Sequence, residues 1–342
     1  MRKFLRWGAG LLALTGLLFT ASSVQAEGIG GYAVGASQSE FQKDKKVSYF
    51  DLRLKPDQKT EVAIKIINSS DKDATFTVHA NTAITNDNGI IDYTRTNITP
   101  DKTLAHPFSE LAKVSQEHVS VGAKSEKEVP ITIQMPSQKF DGMILGGIYV
   151  TKEVAEEDKK ENGYTSQYSY AKPVILTESD SQIIPELKLN KVEAKSLNYQ
   201  QVVTANLQNP EPVNMQKLVI DGKIFKKGSD KAIIENKQED RQFAPNSNFN
   251  FTFPFEKELD AGEYKLDLDV LNDKGKKWHF TKDFSISKKQ TKQIAEQNKW
   301  TDGNQLSTVN WWYIGILALL VLIVVLLLLL LLKKRKEEAR DK

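Results

Sequence analysis

Between residues 47 and 155 apolar side chains recur at every second position in short runs, each closed by turn-forming residues. Val62, Ile64 and Ile66 alternate with Ala63 and Lys65, and Asn68-Ser69-Ser70-Asp71 ends that run. Thr75-Phe76-Thr77-Val78 follows. Asn86-Asp87-Asn88-Gly89 then separates it from Ile90-Ile91-Asp92-Tyr93, and Asn-Gly between extended runs predicts a β-hairpin. Val129, Ile131 and Ile133 keep the period up to Met135-Pro136. Met143 to Val150 is continuously apolar, as a strand covered on both faces would be. Only Ser109 to Gln116 reads as a short helix or turn.

A second series begins near Leu187 and Leu189. Phe249, Phe251, Phe253 and Phe255 alternate strictly with Asn250, Thr252 and Pro254. Leu266, Leu268 and Val270 alternate with Lys265, Asp267 and Asp269, and Trp278, Phe280, Phe284 and Ile286 hold the same parity. Period-two patterning with turns about every ten residues predicts antiparallel sandwiches. The expected fold is all-β: two tandem immunoglobulin-like sandwiches, residues 28–155 and 163–287. The charged stretch Glu156 to Gly163, with nothing to bury, marks the expected boundary. Residues 288–310 are polar without a clear period and read as a stalk.

The ends have a different character. Met1 to Ala26 joins a basic start (Arg2, Lys3, Arg6) to an apolar stretch and a small-residue close at Val24 and Ala26, the plan of a cleaved secretory signal. Trp311 to Leu332 carries no charge. At 1.5 Å per residue it would reach about 33 Å as a helix, enough to span a bilayer. Trp311, Trp312 and Tyr313 suit the headgroup level, and Lys333-Lys334-Arg335-Lys336 should stay cytoplasmic. The expected topology is an extracellular ectodomain, a single transmembrane helix and a basic tail over residues 333–342. No Leu-Pro-x-Thr-Gly precedes the span, so covalent attachment to a wall is not expected.

Charge and composition then narrow the function. The net charge of +3 is a property of the two ends. Without their nine bases and three acids, residues 27–332 hold 38 bases and 41 acids. That acidic balance argues against nucleic acid as a partner. With no cysteine, disulfides, thiolate metal sites and cysteine catalysis are all excluded. None of His79, His106, His118 and His279 has a second histidine three or four residues away, and no nucleophile elbow or phosphate-cradling loop is present. Asp267 and Asp269 read as a solvated strand face. Asn86-Asp87-Asn88-Gly89 with Asp92 offers oxygen ligands but lacks the full calcium-loop spacing, and a hairpin turn accounts for it without an ion. Gly142, Gly146 and Gly147 read as bulge or close-packing glycines. Neither a cofactor nor a metal is expected, and the chain reads as a binding protein, not an enzyme. Polar groups beside an aromatic platform suit a glycan, so Asn86, Asn88, Asp92 and Tyr93 on the hairpin are the candidate ligand-binding residues.

Several longer stretches carry a resemblance. Val47 to Leu52 with Lys55-Pro56, Asn68-Ser69-Ser70, Thr85 to Tyr93, and Phe140 to Tyr149 resemble the first domain of the WxL-interacting proteins of Gram-positive bacteria. Asn206 to Pro210, Ala244 to Phe249, Ala261 to Tyr264 and Trp278 to Phe284 resemble that family's second domain. The resemblance implies a cell-surface protein whose first domain binds peptidoglycan and whose second binds a host surface or matrix protein, working beside WxL proteins in adhesion. Trp7, Trp278, Trp300, Trp311 and Trp312 all lack Leu two residues on, so this chain would be the partner of a WxL protein. An accessory or sensor subunit is the alternative, weakened by a tail too short to fold.

Overall fold

A computed structural model describes residues 30–154, 167–255, 259–302 and 319–320. The expected signal segment, tail and nearly all of the expected span lie outside these residues. Among the described residues no helix is long and apolar enough to cross a membrane.

The first sandwich opens with β1 (Tyr32–Ala36), β2 (Phe50–Arg53), β3 (Lys59–Asn68) and β4 (Ala74–Thr82). A small hairpin of β5 (Ile84–Thr85) and β6 (Ile91–Asp92) follows, then α1 (Phe108–Leu111) and β7 (Ala112–Val114). β8 (His118–Val121), β9 (Glu126–Gln134), β10 (Ile144–Lys152) and β11 (Ser169–Thr177) complete it. One sheet runs β1-β3-β9-β7 and the other β2-β11-β10-β4-β8, with only β2 and β11 parallel. Alternation puts Ile64 and Ile66 of β3 and Ile131 of β9 on one inner face, opposite Phe76, Val78 and Ile148 of the other sheet. Each is fully buried, a burial that contributes roughly 1.5–3 kcal/mol per large aliphatic or aromatic side chain.

The second sandwich comprises β12 (Lys188–Leu197), β13 (Gln200–Asn209), β14 (Met215–Lys226), β15 (Ala232–Phe243), β16 (Ser247–Pro254), β17 (Gly262–Leu271) and β18 (Lys277–Ile286). Its sheets are β12-β13-β16 and β15-β14-β17-β18. Phe249, Phe251 and Phe253 all point inward, against Ile220, Leu266 and Leu268. The polar members of these runs, Asn250 and Asp267 among them, lie on the outer faces.

Two expected boundaries change. β11 follows the charged stretch at 156–163, yet it pairs with β10 and β2 in the first sandwich. Val174 and Leu176 are fully buried in the first core, and the Tyr170 hydroxyl donates to the Tyr32 carbonyl at 3.0 Å. The sandwiches therefore part after Thr177, not at 156–163. The expected stalk begins as a helix, α2 (Lys288–Asp302). Ile294 packs into the second core and the Gln290 side chain donates to the Ala194 carbonyl at 2.7 Å. A single buried apolar side chain is too sparse to register as a helical stripe. Part of the expected short helix, Ala112 to Val114, is a strand beside β9.

The expected double coverage of β10 is present. Its inner face meets the first core, while Leu145 on its outer face joins Ala83 of the same domain and Ala244 of the second sandwich, with Ile91, Tyr93 and Ile175 packed alongside.

Candidate functional site

The Asn86 to Gly89 turn closes as its residues predict. Gly89 has φ +65°, and the Asn86 carboxamide oxygen accepts from the amides of Asn88 at 3.0 Å and Ile90 at 3.3 Å. Its location differs from expectation. The hairpin lies against the second sandwich. The Arg241 guanidinium donates to the Asn88 carbonyl at 2.6 Å, and the Gln242 amide donates to the Gly89 carbonyl at 2.7 Å. The Asn250 amide donates to the Asp87 carboxylate at 3.0 Å. Buried Thr85 shares a hydroxyl hydrogen bond of 2.7 Å with Ser247 and accepts from the Ala244 amide at 2.9 Å.

The four candidate residues are engaged in the turn and in packing. Asn86 holds the turn and Asn88 gives its carbonyl to Arg241. Asp92 accepts from the amide and hydroxyl of Thr94 at 2.8 and 2.7 Å. Tyr93 lies over Gly147, where an added Cβ would come within 2.8 Å of its ring. Burial, reinforced by nearby Tyr49, pushes its hydroxyl up to about 12. The hairpin thus lies at a joint between domains, where Ile91 and Tyr93 cover apolar surface at Leu145, Ala83 and Ala244 while Asn88 stays exposed.

Asp101 fastens the same joint from the loop after the hairpin. Its carboxylate accepts from Thr103 of its own turn, from the Gln208 carboxamide at 2.8 and 2.9 Å, and from Asn248 at 2.5 Å. Burial alone would raise its pKa, but the bonds from Thr103, Asn248 and Gln208 together outweigh it and hold the group below the usual carboxylate value. Gly142 adds another contact. It sits at φ +84° with the Pro212 carbonyl only 2.4 Å from where a Cβ would be, so a side chain there would drive the domains apart.

A second feature was not visible in the sequence. β8 pairs with β4 only as far as Thr77 and Val78 bonds Glu117 beyond it, which among the described residues leaves the edge of β4 open around Ala80. A groove of about 780 Å³ follows that edge. His79 and Asn81 of β4 line it together with Asn97, Glu110, Lys113 and Glu117. His79 Nδ1 lies 3.8 Å from a Glu117 carboxylate oxygen. Segments about thirty residues apart meet here because α1 returns to β4, where the Ser109 amide donates to the Thr82 hydroxyl at 3.0 Å. No local spacing encodes that return.

On the outer face of the second sandwich, cross-strand pairing gathers Asp267, Asp269 and His279, with ligand atoms within 4.8 Å of one another. His279 Nδ1 lies 2.8 Å from Asp269 and 3.7 Å from Asp267. The hydrogen bond to Asp269, then the charge of Asp267, raises the imidazole pKa. Asp269 and His279 are exposed and Asp267 is half-buried, and the group forms an ion pair whenever His279 is protonated.

Comparison with known proteins also finds two domains in tandem. The model of the WxL Interacting Protein peptidoglycan binding domain matches residues 32–152, and that of the host binding domain matches residues 159–296. The second match includes β11, which the structure places in the first sandwich. No curated protein matches the chain. Solved structures with similarity include a chaperone–tip adhesin complex of CFA/I fimbriae, at 10% identity and TM-score 0.30, covering 67% of this chain and 94% of that one. The Escherichia coli chaperone DraB is 13% identical at TM-score 0.29, covering 75% and 95%. The Pseudomonas aeruginosa CupB2 chaperone is 15% identical at TM-score 0.27, covering 66% and 93%. Since both domain models match in tandem, over more than half of the 342 residues, the chain belongs to the WxL-interacting protein family.

Proposed function

We propose that this chain is a membrane-anchored surface-binding protein of a Gram-positive bacterium. In this reading the first sandwich holds peptidoglycan and the second engages a host surface or matrix protein, while the whole partners WxL proteins in adhesion. The observation that carries it is the ordered match of a peptidoglycan-binding and a host-binding domain. The joint supports it, since two binding surfaces fixed relative to each other can bridge a wall and a second partner without losing orientation. Met1 to Ala26 directs export, and Trp311 to Leu332 retains the protein in the membrane with residues 333–342 inside. We read the chain as non-catalytic, a scaffold that binds without turnover.

Wall digestion followed by fractionation tests the anchor: the intact protein, beginning at Glu27, should stay with the membrane. Recovery of the protein covalently joined to wall fragments would overturn it. Sedimentation with purified peptidoglycan tests the binding, and a full-length protein that stays in the supernatant would remove that part.

A further inference from the structure

We propose that the open edge of β4 at Ala80 seats a short extended peptide, the stem peptide of peptidoglycan. This rests on the first sandwich being the wall-binding one.

The Val78 amide donates to the Glu117 carbonyl at 2.8 Å, away from β10. Backbone groups of an antiparallel strand alternate sides, so Ala80 turns its own amide and carbonyl the same way. The register with β10, Val78 opposite Val150 and Ala80 opposite Ile148, agrees. On that side β8 has ended, and the groove begins. The edge therefore presents a donor and an acceptor ready to pair with a passing backbone, the way a strand edge captures a peptide.

The size of the opening selects the occupant. Glu117 closes one end through Val78, and Ser109 closes the other through Thr82. Between Val78 and Thr82 the strand rises about 13 Å at roughly 3.3 Å per residue. A long strand of a partner protein would run into both ends, whereas a peptide of a few residues fits. Charge completes the match: Glu110 and Glu117 with Lys113 face the groove and complement a peptide that carries both amines and carboxylates. Among the lining residues the only aromatic ring is the His79 imidazole, so a sugar has little to stack on here.

Full-length protein in detergent should be sedimented with purified peptidoglycan, and with the same glycan after an amidase has removed its peptides. Removal should weaken binding about tenfold or more, as loss of backbone and charge-assisted hydrogen bonds implies. Soluble stem peptide should compete. Ala80→Pro deletes the edge donor and should weaken binding similarly. If that variant fails to fold, the exposed changes Lys113→Glu and Glu110→Lys decide, and at least one should weaken binding without moving the melt. Equal sedimentation with peptide-free glycan, or wild-type binding by both charge variants, overturns the peptide assignment alone. No sedimentation with intact peptidoglycan overturns the wall-binding reading and this inference with it.

Discussion

Replacing Gly146 by Ala tests how the groove wall is held. Gly146 is the third residue of β10, and the fully buried ring of Phe108 rests directly against it. An added Cβ would stand 2.0 Å from Phe108 Cδ1, 2.1 Å from Cγ and 2.6 Å from Cβ. Carbon atoms settle at about 3.5–4.0 Å, so the ring has to retreat by roughly 1.5 Å. It has little room to do so, because the next residue, Ser109, is bonded to Thr82 through both amide and hydroxyl. Overpacking of this kind costs about 1–3 kcal/mol, and expelling a phenylalanine about 3–5 kcal/mol, which brackets the expected loss at about 1–5 kcal/mol. Gly147→Ala, one residue on, meets the Tyr93 ring at 2.8 Å on the opposite face. Tyr93 Cβ also lies 2.9 Å away and does not move when the ring turns, so the backbone at Tyr93 has to shift and the cost should be about 1–3 kcal/mol. Amide exchange in β4 and β10, read by mass spectrometry across a urea series, isolates the first sandwich. The four tryptophans nearest the C-terminus begin at Trp278, so fluorescence would miss it. Combining Gly146→Ala with Phe108→Ala should be no worse than Phe108→Ala alone, since the methyl then occupies part of the cavity. Wild-type stability in Gly146→Ala would refute this packing.

In the second sandwich, Phe251→Ala and Leu268→Ala, both inward and buried, should each cost about 2–5 kcal/mol, while Asp267→Ala on the other face costs well under 1 kcal/mol. Equal urea midpoints for Leu268→Ala and Asp267→Ala would upset the register. At the joint, Asp101→Asn should lower stability at pH 7 by about 1 kcal/mol, after discounting for partial exposure. Because folding depresses the Asp101 pKa, its contribution is complete above the unfolded value of 3.8 and disappears as pH falls through the folded one. A variant melt parallel to wild type from pH 7 to 2 would show that Asp101 does not fasten the domains. His279 has the opposite sign: its pKa is raised, so the ion pair is complete below the unfolded value of 6.5 and fades as pH rises through the folded one. Imidazole shifts in NMR should titrate above 6.5 and move down in Asp269→Asn; no movement would separate His279 from that carboxylate.

Alternation alone determined the strands and their inner faces. Val62, Ile64 and Ile66, the phenylalanines at 249, 251 and 253, and Leu266 to Val270 are buried where period two places them, because a strand with one dry face must sort its residues by parity. The Asn-Gly turn was equally local, a matter of one backbone conformation at Gly89. What each strand or turn packs against is a long-range question, and parity carries no information on it. The sequence 169–177 looks no different whether it joins the sandwich before it or the one after. Only buried Val174 and Leu176 opposite the first core decide the matter. Asn86, Asn88, Asp92 and Tyr93 have the composition of an exposed site, and nothing local shows that Arg241, Gln242 and Ala244, some 150 residues later, pack against the hairpin and make it part of a joint. The groove at Ala80 likewise exists because β8 stops at Thr77 and α1 returns to Thr82. Strand endings and chain returns are fixed by how two sheets close over a shared core, a balance of distant contacts that no window of sequence contains.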